Sequence, residues 1–184
     1  MVYVLLAPGF EEIEALSVVD ILRRAELEVT TVGVGVAGQT VTGVHGIEVM
    51  ADIHEDDLHL TDVEMVVLPG GQPGTANLER SATVRSAVEA AAVHDAWLAA
   101  ICAAPSILAH WGMLKGRRAT CYPGYDRELT GSGTVYTDAQ VEQDGRTVTA
   151  KGPGAAILFG LRLVACLRNE DTAERIRRAM QYDL

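Results

Sequence analysis

The sequence predicts an α/β fold: a doubly wound, mostly parallel sheet sandwiched by helices, with small β-hairpin insertions. Three observations point there. The short apolar runs Val2–Ala7, Val63–Leu68 and Trp97–Ile101 lack an alternating polar face, as strands buried on both sides do. Pro-Gly pairs close the first two runs, at Pro8-Gly9 and Pro69-Gly70. Stretches with helical spacing follow in turn, and strand–helix alternation builds a parallel sheet with helices on both faces.

In chain order, Val2–Ala7 is the first buried strand. Glu11–Arg24 places Ile13, Leu16, Val19, Ile21 and Leu22 at helix-like intervals. Leu27–Val34 is rich in β-branched residues and forms the second strand. Val41 to Val49, punctuated by Gly43 and Gly46, reads as a small antiparallel hairpin. Val63–Leu68 is the next buried strand, and Ser81–Ala92, built of alanine and valine with interspersed charges, is a helix. Trp97–Ile101 is a strand and Ala103–Trp111 the helix after it. A short segment at Ala119–Tyr122 precedes a second hairpin, Ala139–Gln143 with Thr147–Lys151, turned by Asp144-Gly145. Helices over Ala155–Leu167 and Thr172–Tyr182 end the chain. With no repeat, linker or low-complexity tract, the 184 residues are expected to form one domain, 1–184, burying about 70% of the unfolded surface.

Composition removes several function classes. Fifteen Lys and Arg against 25 Asp and Glu give a formal charge of −10, which disfavours nucleic-acid partners and anionic membrane surfaces. No apolar run reaches the ~20 residues a membrane span needs. The amino terminus lacks a basic leader and reads as a strand, not a signal peptide. Cys102, Cys121 and Cys166 are an odd number with no CxxC pair, which points to reduced thiols and a cytoplasmic location.

In such folds ligands bind outside the carboxyl ends of the strands, and three of those ends hold suggestive chemistry. At Ile101-Cys102-Ala103-Ala104-Pro105, a cysteine between a buried strand and a helix start has two readings. A positive helix end favours the thiolate, and small neighbours permit the sharp turn of a nucleophile elbow. Alternatively it is a buried structural cysteine, since free Cys is among the most buried residue types. At Leu68-Pro69-Gly70-Gly71, paired glycines let backbone N–H groups approach a ligand, although Pro-Gly-Gly is also a common turn. At Gly9-Phe10-Glu11-Glu12-Ile13-Glu14, carboxylates in a first helical turn complement the helix dipole. Glu14, one turn from Phe10, is also placed to point at the sheet edge, where burial would raise its pKa beside a thiolate.

Ala7-Pro8-Gly9-Phe10-Glu11-Glu12-Ile13-Glu14, Val67-Leu68-Pro69-Gly70-Gly71, Ala99-Ala100-Ile101-Cys102-Ala103-Ala104-Pro105 and Lys151-Gly152-Pro153-Gly154 occur in one order across nearly the whole chain. This set resembles the ThiJ/PfpI superfamily, in the branch of the Parkinson-linked protein deglycase. The resemblance implies a flavodoxin-like sandwich, a homodimer, and Cys102 as nucleophilic, oxidisable thiol. It also implies Glu14 as the carboxyl bonded to that thiol, and Gly70, Gly71 and Ala103 N–H groups around an oxyanion. No cofactor and no metal are expected.

Departures narrow the chemistry. Peptidase-like members place a histidine directly after the cysteine or further downstream as a base, whereas here Ala103 follows Cys102. His110 lies eight residues on, about 12 Å along a helix axis, too far for a Cys–His dyad. It reads as a packed or partly exposed helix residue. Tyr122 stands where some relatives have a histidine, and a phenol near the pocket donates a hydrogen bond without acting as a base at neutral pH. Cys121 is either a buried spacer or a resolving thiol for oxidised Cys102, and Cys166 belongs to the core. His45 is a surface loop residue, Asp20 and Arg24 form an i,i+4 pair, and His54-Glu55-Asp56-Asp57 is a solvated helix start.

From the resemblance the expected function is cysteine-dependent detoxification of small α-oxoaldehydes or glycated adducts, glyoxalase- or deglycase-like, converting methylglyoxal to lactate. The alternative is a redox-sensing or chaperone-like stress protein whose Cys102 is oxidised to sulfinate. A cysteine peptidase or amide hydrolase ranks third, for want of a reachable histidine.

Overall fold

The alternating burial of three short strands organises the molecule. In the computed structural model, which describes residues 1–183, β1 (Val2–Leu6) turns Val2, Val4 and Leu6 into one core and Tyr3 and Leu5 into another. β6 (Met65–Leu68) and β7 (Trp97–Ile101) divide their side chains in the same way. This two-sided burial explains the unbroken apolar runs.

The other elements are α1 (Glu12–Arg24), β2 (Val29–Gly33), β3 (Thr40–Thr42), β4 (Glu48–Met50), β5 (Ile53–His54), α2 (Gly74–Arg80) and α3 (Ala82–Val93). After β7 come α4 (Pro105–His110), β8 (Arg118–Ala119), α5 (Asp126–Gly131), β9 (Val135–Tyr136), β10 (Val141–Asp144), β11 (Thr147–Ala150), α6 (Ala156–Leu167) and α7 (Glu170–Ala179). The main sheet has seven strands in the order β10-β11-β7-β6-β1-β2-β5, parallel except for β10 against β11. α1, α6 and α7 cover one face, while α2 to α5 contribute to the core on the other. The first hairpin is the separate antiparallel pair β3–β4. Among the described residues, no helix is long and apolar enough to cross a membrane.

The second hairpin departs from expectation in two ways. Asp144 pairs with Thr147, so the connection is Gly145-Arg146, with Gly145 at φ +57°. Its second strand is also no mere insertion, because β11 runs parallel to β7 from Thr147↔Leu98 to Ala150↔Ile101 and extends the central sheet. α2 and α5, seven and six residues long, were not foreseen. The run 54–57 is a solvated helix start, a 3-10 turn over Glu55–Asp57 capped by His54.

β1 lies between β2 and β6, so the chain winds one way from β1 and the other way through β6 and β7. A crevice opens where winding reverses, outside the carboxyl ends of β1 and β6. The turns at Pro8–Phe10, Pro69–Gln72 and Cys102–Ala104 follow these strands and β7.

Candidate active site

The site begins with α1. Glu11 is the N-cap, with extended backbone and its Oε2 accepting from the Glu14 N–H at 2.8 Å. That bond fixes the first turn and orients Glu14, which is fully buried. Glu14 Oε2 accepts from the Gly70 N–H at 2.8 Å, across the switch point. Glu14 Oε1 is buried and accepts no N–H or O–H hydrogen bond among the described residues. The proton donor beside the carboxyl is the Cys102 thiol.

Cys102 sits in a sharp turn. Its φ is +65°, in the left-handed region, and its N–H donates to the Ala150 carbonyl at 2.9 Å, continuing the β7–β11 ladder by one residue. Gly70 closes the arrangement: a Cβ there would lie 2.6 Å from Cys102 Cβ, 2.7 Å from Glu14 Oε2 and 3.1 Å from Cys102 Sγ. Gly71, at φ +92°, packs its backbone directly on that of Gly9–Glu11, and the Glu11 N–H donates to the Gly70 carbonyl at 2.9 Å. The close backbone approach expected at the paired glycines is therefore present, and Gly9 shares in it.

The electrostatics differ from the helix-start argument. Burial pushes Glu14 up, hydrogen bonds from Cys102 and Gly70 pull it down, and the result is about 7. Burial, then the Glu14 charge and hydrogen bond, push the Cys102 thiol up to about 12, against the Ala103 and Gly71 N–H groups, which pull it down. Two features explain why the thiolate is not favoured at rest. α4 begins only at Pro105, three residues beyond the sulfur's own residue, and a carboxyl sits beside it. The Gly70 N–H is committed to Glu14, so the N–H groups that address the sulfur are those of Gly71 and Ala103.

Tyr122 joins the site through its backbone, its N–H donating to the Cys102 carbonyl at 2.8 Å. The ring is half exposed and lies against Gly152, where a Cβ would be 3.0 Å from Tyr122 Cδ2. Tyr122, Pro123, Gly152 and Pro153 line a cleft of about 220 Å³ with Gln140 and Lys151 at its sides. Cys121 is fully buried in the other core. Cys166 is a correction: it is half exposed at the core's margin, its thiol 3.6 Å from Gln143 Oε1.

Sequence reasoning missed the buried roles of Glu11 and Glu12. Glu12 Oε1 accepts from the His45 N–H at 2.8 Å, and its Oε2 meets His45 Nδ1 at 2.9 Å. The carboxyl fills the turn of the first hairpin so closely that a Cβ at Gly43 would lie 2.4 Å from Oε1. Three carboxylates in one helical turn were the available signal, but their pattern alone does not separate a dipole complement from a tether. Glu11, Glu12 and His45 bring their ligating atoms within 4.8 Å of one another, yet Glu11 caps α1 and Glu12 holds the hairpin. His110 does not approach the thiol: its ring meets Glu79 and Glu128 instead.

A family model described as the DJ-1/PfpI family matches residues 1–166. Protein DJ-1 homolog A of Arabidopsis thaliana is 34% identical over 175 residues, 93% of this chain but 44% of that relative, so the chain spans less than half its length. The glutathione-independent glyoxalase DJR-1.2 of Caenorhabditis elegans is 29% identical over 161 residues, 88% of this chain and 84% of the relative. Among solved structures, oxidized Toxoplasma gondii DJ-1 superposes with a TM-score of 0.94 at 31% identity, covering 100% of this chain and 98% of that one.

Proposed function

The chain belongs to the DJ-1/PfpI family, and from that premise we propose that it is a cysteine-dependent enzyme that converts small α-oxoaldehydes to hydroxy acids. The observation that supports this reading most is the buried Glu14 carboxyl beside the Cys102 thiol, with a pKa near 7 and one oxygen receiving no N–H or O–H bond. A base with that pKa takes a proton and returns it at neutral pH with little bias either way. A relative named as a glyoxalase adds weight.

With methylglyoxal, Glu14 takes the thiol proton as the sulfur attacks the aldehyde carbon. The C–S bond forms while the C=O π pair moves to oxygen, between the Gly71 and Ala103 N–H groups, and Glu14 hands the thiol proton to that oxygen to give a hemithioacetal. Glu14, again a carboxylate, then removes the hydrogen on that carbon, giving an enediolate, and returns the proton to the neighbouring carbon while the first hydroxyl's proton passes to the second oxygen. The product is a thioester of the hydroxy acid. Water cleaves it, releasing lactate and restoring the thiol, so that one aldehyde and one water become one hydroxy acid with no external oxidant. Deglycation of protein adducts would begin from the same hemithioacetal chemistry. The site requires no cofactor for these steps, the cytoplasm is the compartment where such thiols stay reduced, and a single domain, 1–184, contains every group used.

Lactate is followed by proton NMR in methylglyoxal. The wild type is expected to turn it over and Cys102→Ala to reduce the rate to that of the uncatalysed reaction. An undiminished rate in Cys102→Ala overturns the proposal.

A second reading has its own support in the donors around the sulfur. Two equivalents of peroxide would convert the thiol to a sulfinate with release of two waters, and the Gly71 and Ala103 N–H groups with a protonated Glu14 would hold the new oxygens. Intact-mass and peptide mapping after graded peroxide discriminate it: oxidation of Cys121 or Cys166 before Cys102 removes this reading.

The chain is further proposed to act as a homodimer. Ile13, Val44, Ile47 and Met50 are exposed apolar side chains gathered at the start of α1 and on the first hairpin. Such a patch on a charged protein fits self-association.

A further inference from the structure

His110 lies on the last residue of α4, and both of its ring nitrogens meet carboxylates from other elements. Nδ1 is 2.6 Å from Glu79 Oε1 on α2, and Nε2 is 3.3 Å from Glu128 Oε2 on α5. A neutral imidazole has one N–H and one lone pair, and a lone pair against a carboxylate oxygen is repulsive. Both contacts are favourable together only in the imidazolium form.

The three helices so joined are those that leave the three sides of the site. α2 follows Gly70–Pro73, α4 follows Cys102–Ala104, and α5 follows Tyr122–Tyr125. A second tie runs alongside, with Gln72 Nε2 donating to the Tyr125 hydroxyl at 2.9 Å. We propose that His110 is a positioning residue, a cationic clamp that holds the Gly71 loop and the Tyr122 segment in register on either side of the Cys102 turn. Its consequence for turnover rests on the enzymatic reading above; the clamp itself does not.

The neighbouring charges do not replace it. On α2, Arg80 is turned to Asn77; on α3, Arg85 is paired with Glu89 and lies over Trp111. On α5, Asp126 accepts from the Gly124 N–H, and Arg127 forms no ion pair among the described residues. The side chains of His110, Glu79 and Glu128 are 33–42% exposed, which makes each arm weak. The clamp therefore acts on the register of two loops, and global stability is little affected.

The test compares wild type with His110→Gln, which keeps one donor arm at most, and with His110→Arg, which keeps a cation able to reach two carboxylates. Amide exchange of residues 72–74 and 122–126 is measured at about pH 6, corrected for intrinsic exchange, with kcat and KM for methylglyoxal. His110→Gln is expected to open these segments about twofold to fivefold more than the wild type. His110→Arg should show the wild-type, closed value. KM should follow the same order with kcat unchanged. Glu128→Ala removes one arm independently, leaving neither donor nor acceptor at that place, and must reproduce the His110→Gln pattern. Equal protection in all four proteins, or the open value in His110→Arg, overturns the clamp. If no protein turns over methylglyoxal, exchange alone decides the clamp and the failure belongs to the enzymatic reading.

Discussion

At Gly70 the thiol of Cys102 and the carboxyl of Glu14 compete for the volume a side chain would fill, and the absence of one lets both reach the same point. The pair then governs how the protein responds to pH. Glu14 has a folded pKa of about 7 against an ordinary 4.5, so between those values the folded chain holds a proton that the unfolded chain has lost. Stability from this group is complete below about pH 4.5 and declines as pH rises through 7, by a total on the order of 3 kcal/mol. Glu14→Gln, which cannot ionise, is expected to lack that decline, so its urea midpoint should gain on the wild type from about pH 5 to about pH 8. The same substitution should lower kcat/KM for methylglyoxal by about 100-fold or more, the usual contribution of a positioned base. A midpoint difference that does not change with pH would show that Glu14 does not titrate in this window. The inward aim of Glu14 was legible in its spacing from Phe10. The resting protonation of Cys102 was not, because it depends on a carboxyl 88 residues earlier in the chain and on where α4 begins.

Among the elements, α1 links chemistry to scaffold: its first turn bears the carboxylates, and its later turns pack on α6. They meet at Gly160, where an added Cβ would lie 2.8 Å from Ile21 Cδ1 and 3.3 Å from its Cβ. Gly160→Val is expected to lower unfolding stability by about 1–3 kcal/mol through overpacking, read from urea denaturation. An unchanged midpoint would mean that the helices separate without cost. α1, α3, α6 and the strands β1, β6 and β7 were legible because each has either enough turns to display helical spacing or an unbroken apolar run. α2 and α5 are under two turns long, within glycine- and proline-containing stretches, so no repeat of spacing is available to reveal them. The β-hairpin at 141–150 was read as a hairpin from its turn, but its parallel pairing with β7 depends on residues more than 40 positions away.

For the whole molecule, strand order places three distant turns at one crevice, and the β3–β4 hairpin borders it. Glu12 holds that hairpin to α1, and the apolar residues around it face outward. With a formal charge of −10, indiscriminate association is opposed by repulsion, so a contact between copies would concentrate on such a patch. Ile47→Glu is expected to shift the sedimentation coefficient from that of a dimer to that of a monomer, because it introduces a charge where apolar contact is needed. A wild type that sediments as a monomer at all concentrations would remove the homodimer. The doubly wound class was readable from alternation alone. The reversal point was not, since it is set by pairing between strands and not by any local pattern.

The left-handed backbone at residue 102 means that folding and chemistry want different residues there. An L side chain in that conformation costs roughly 1–2 kcal/mol, and glycine does not incur it. Cys102→Gly, though it removes the thiol, is therefore expected to melt above Cys102→Ala, which keeps the strained backbone and is equally inert. A Cys102→Gly protein that melts below Cys102→Ala would show that the turn is relaxed around its side chain. If the order holds, a chain selected for stability alone would drift to glycine at this position, and the sulfur persists there only for what it reacts with.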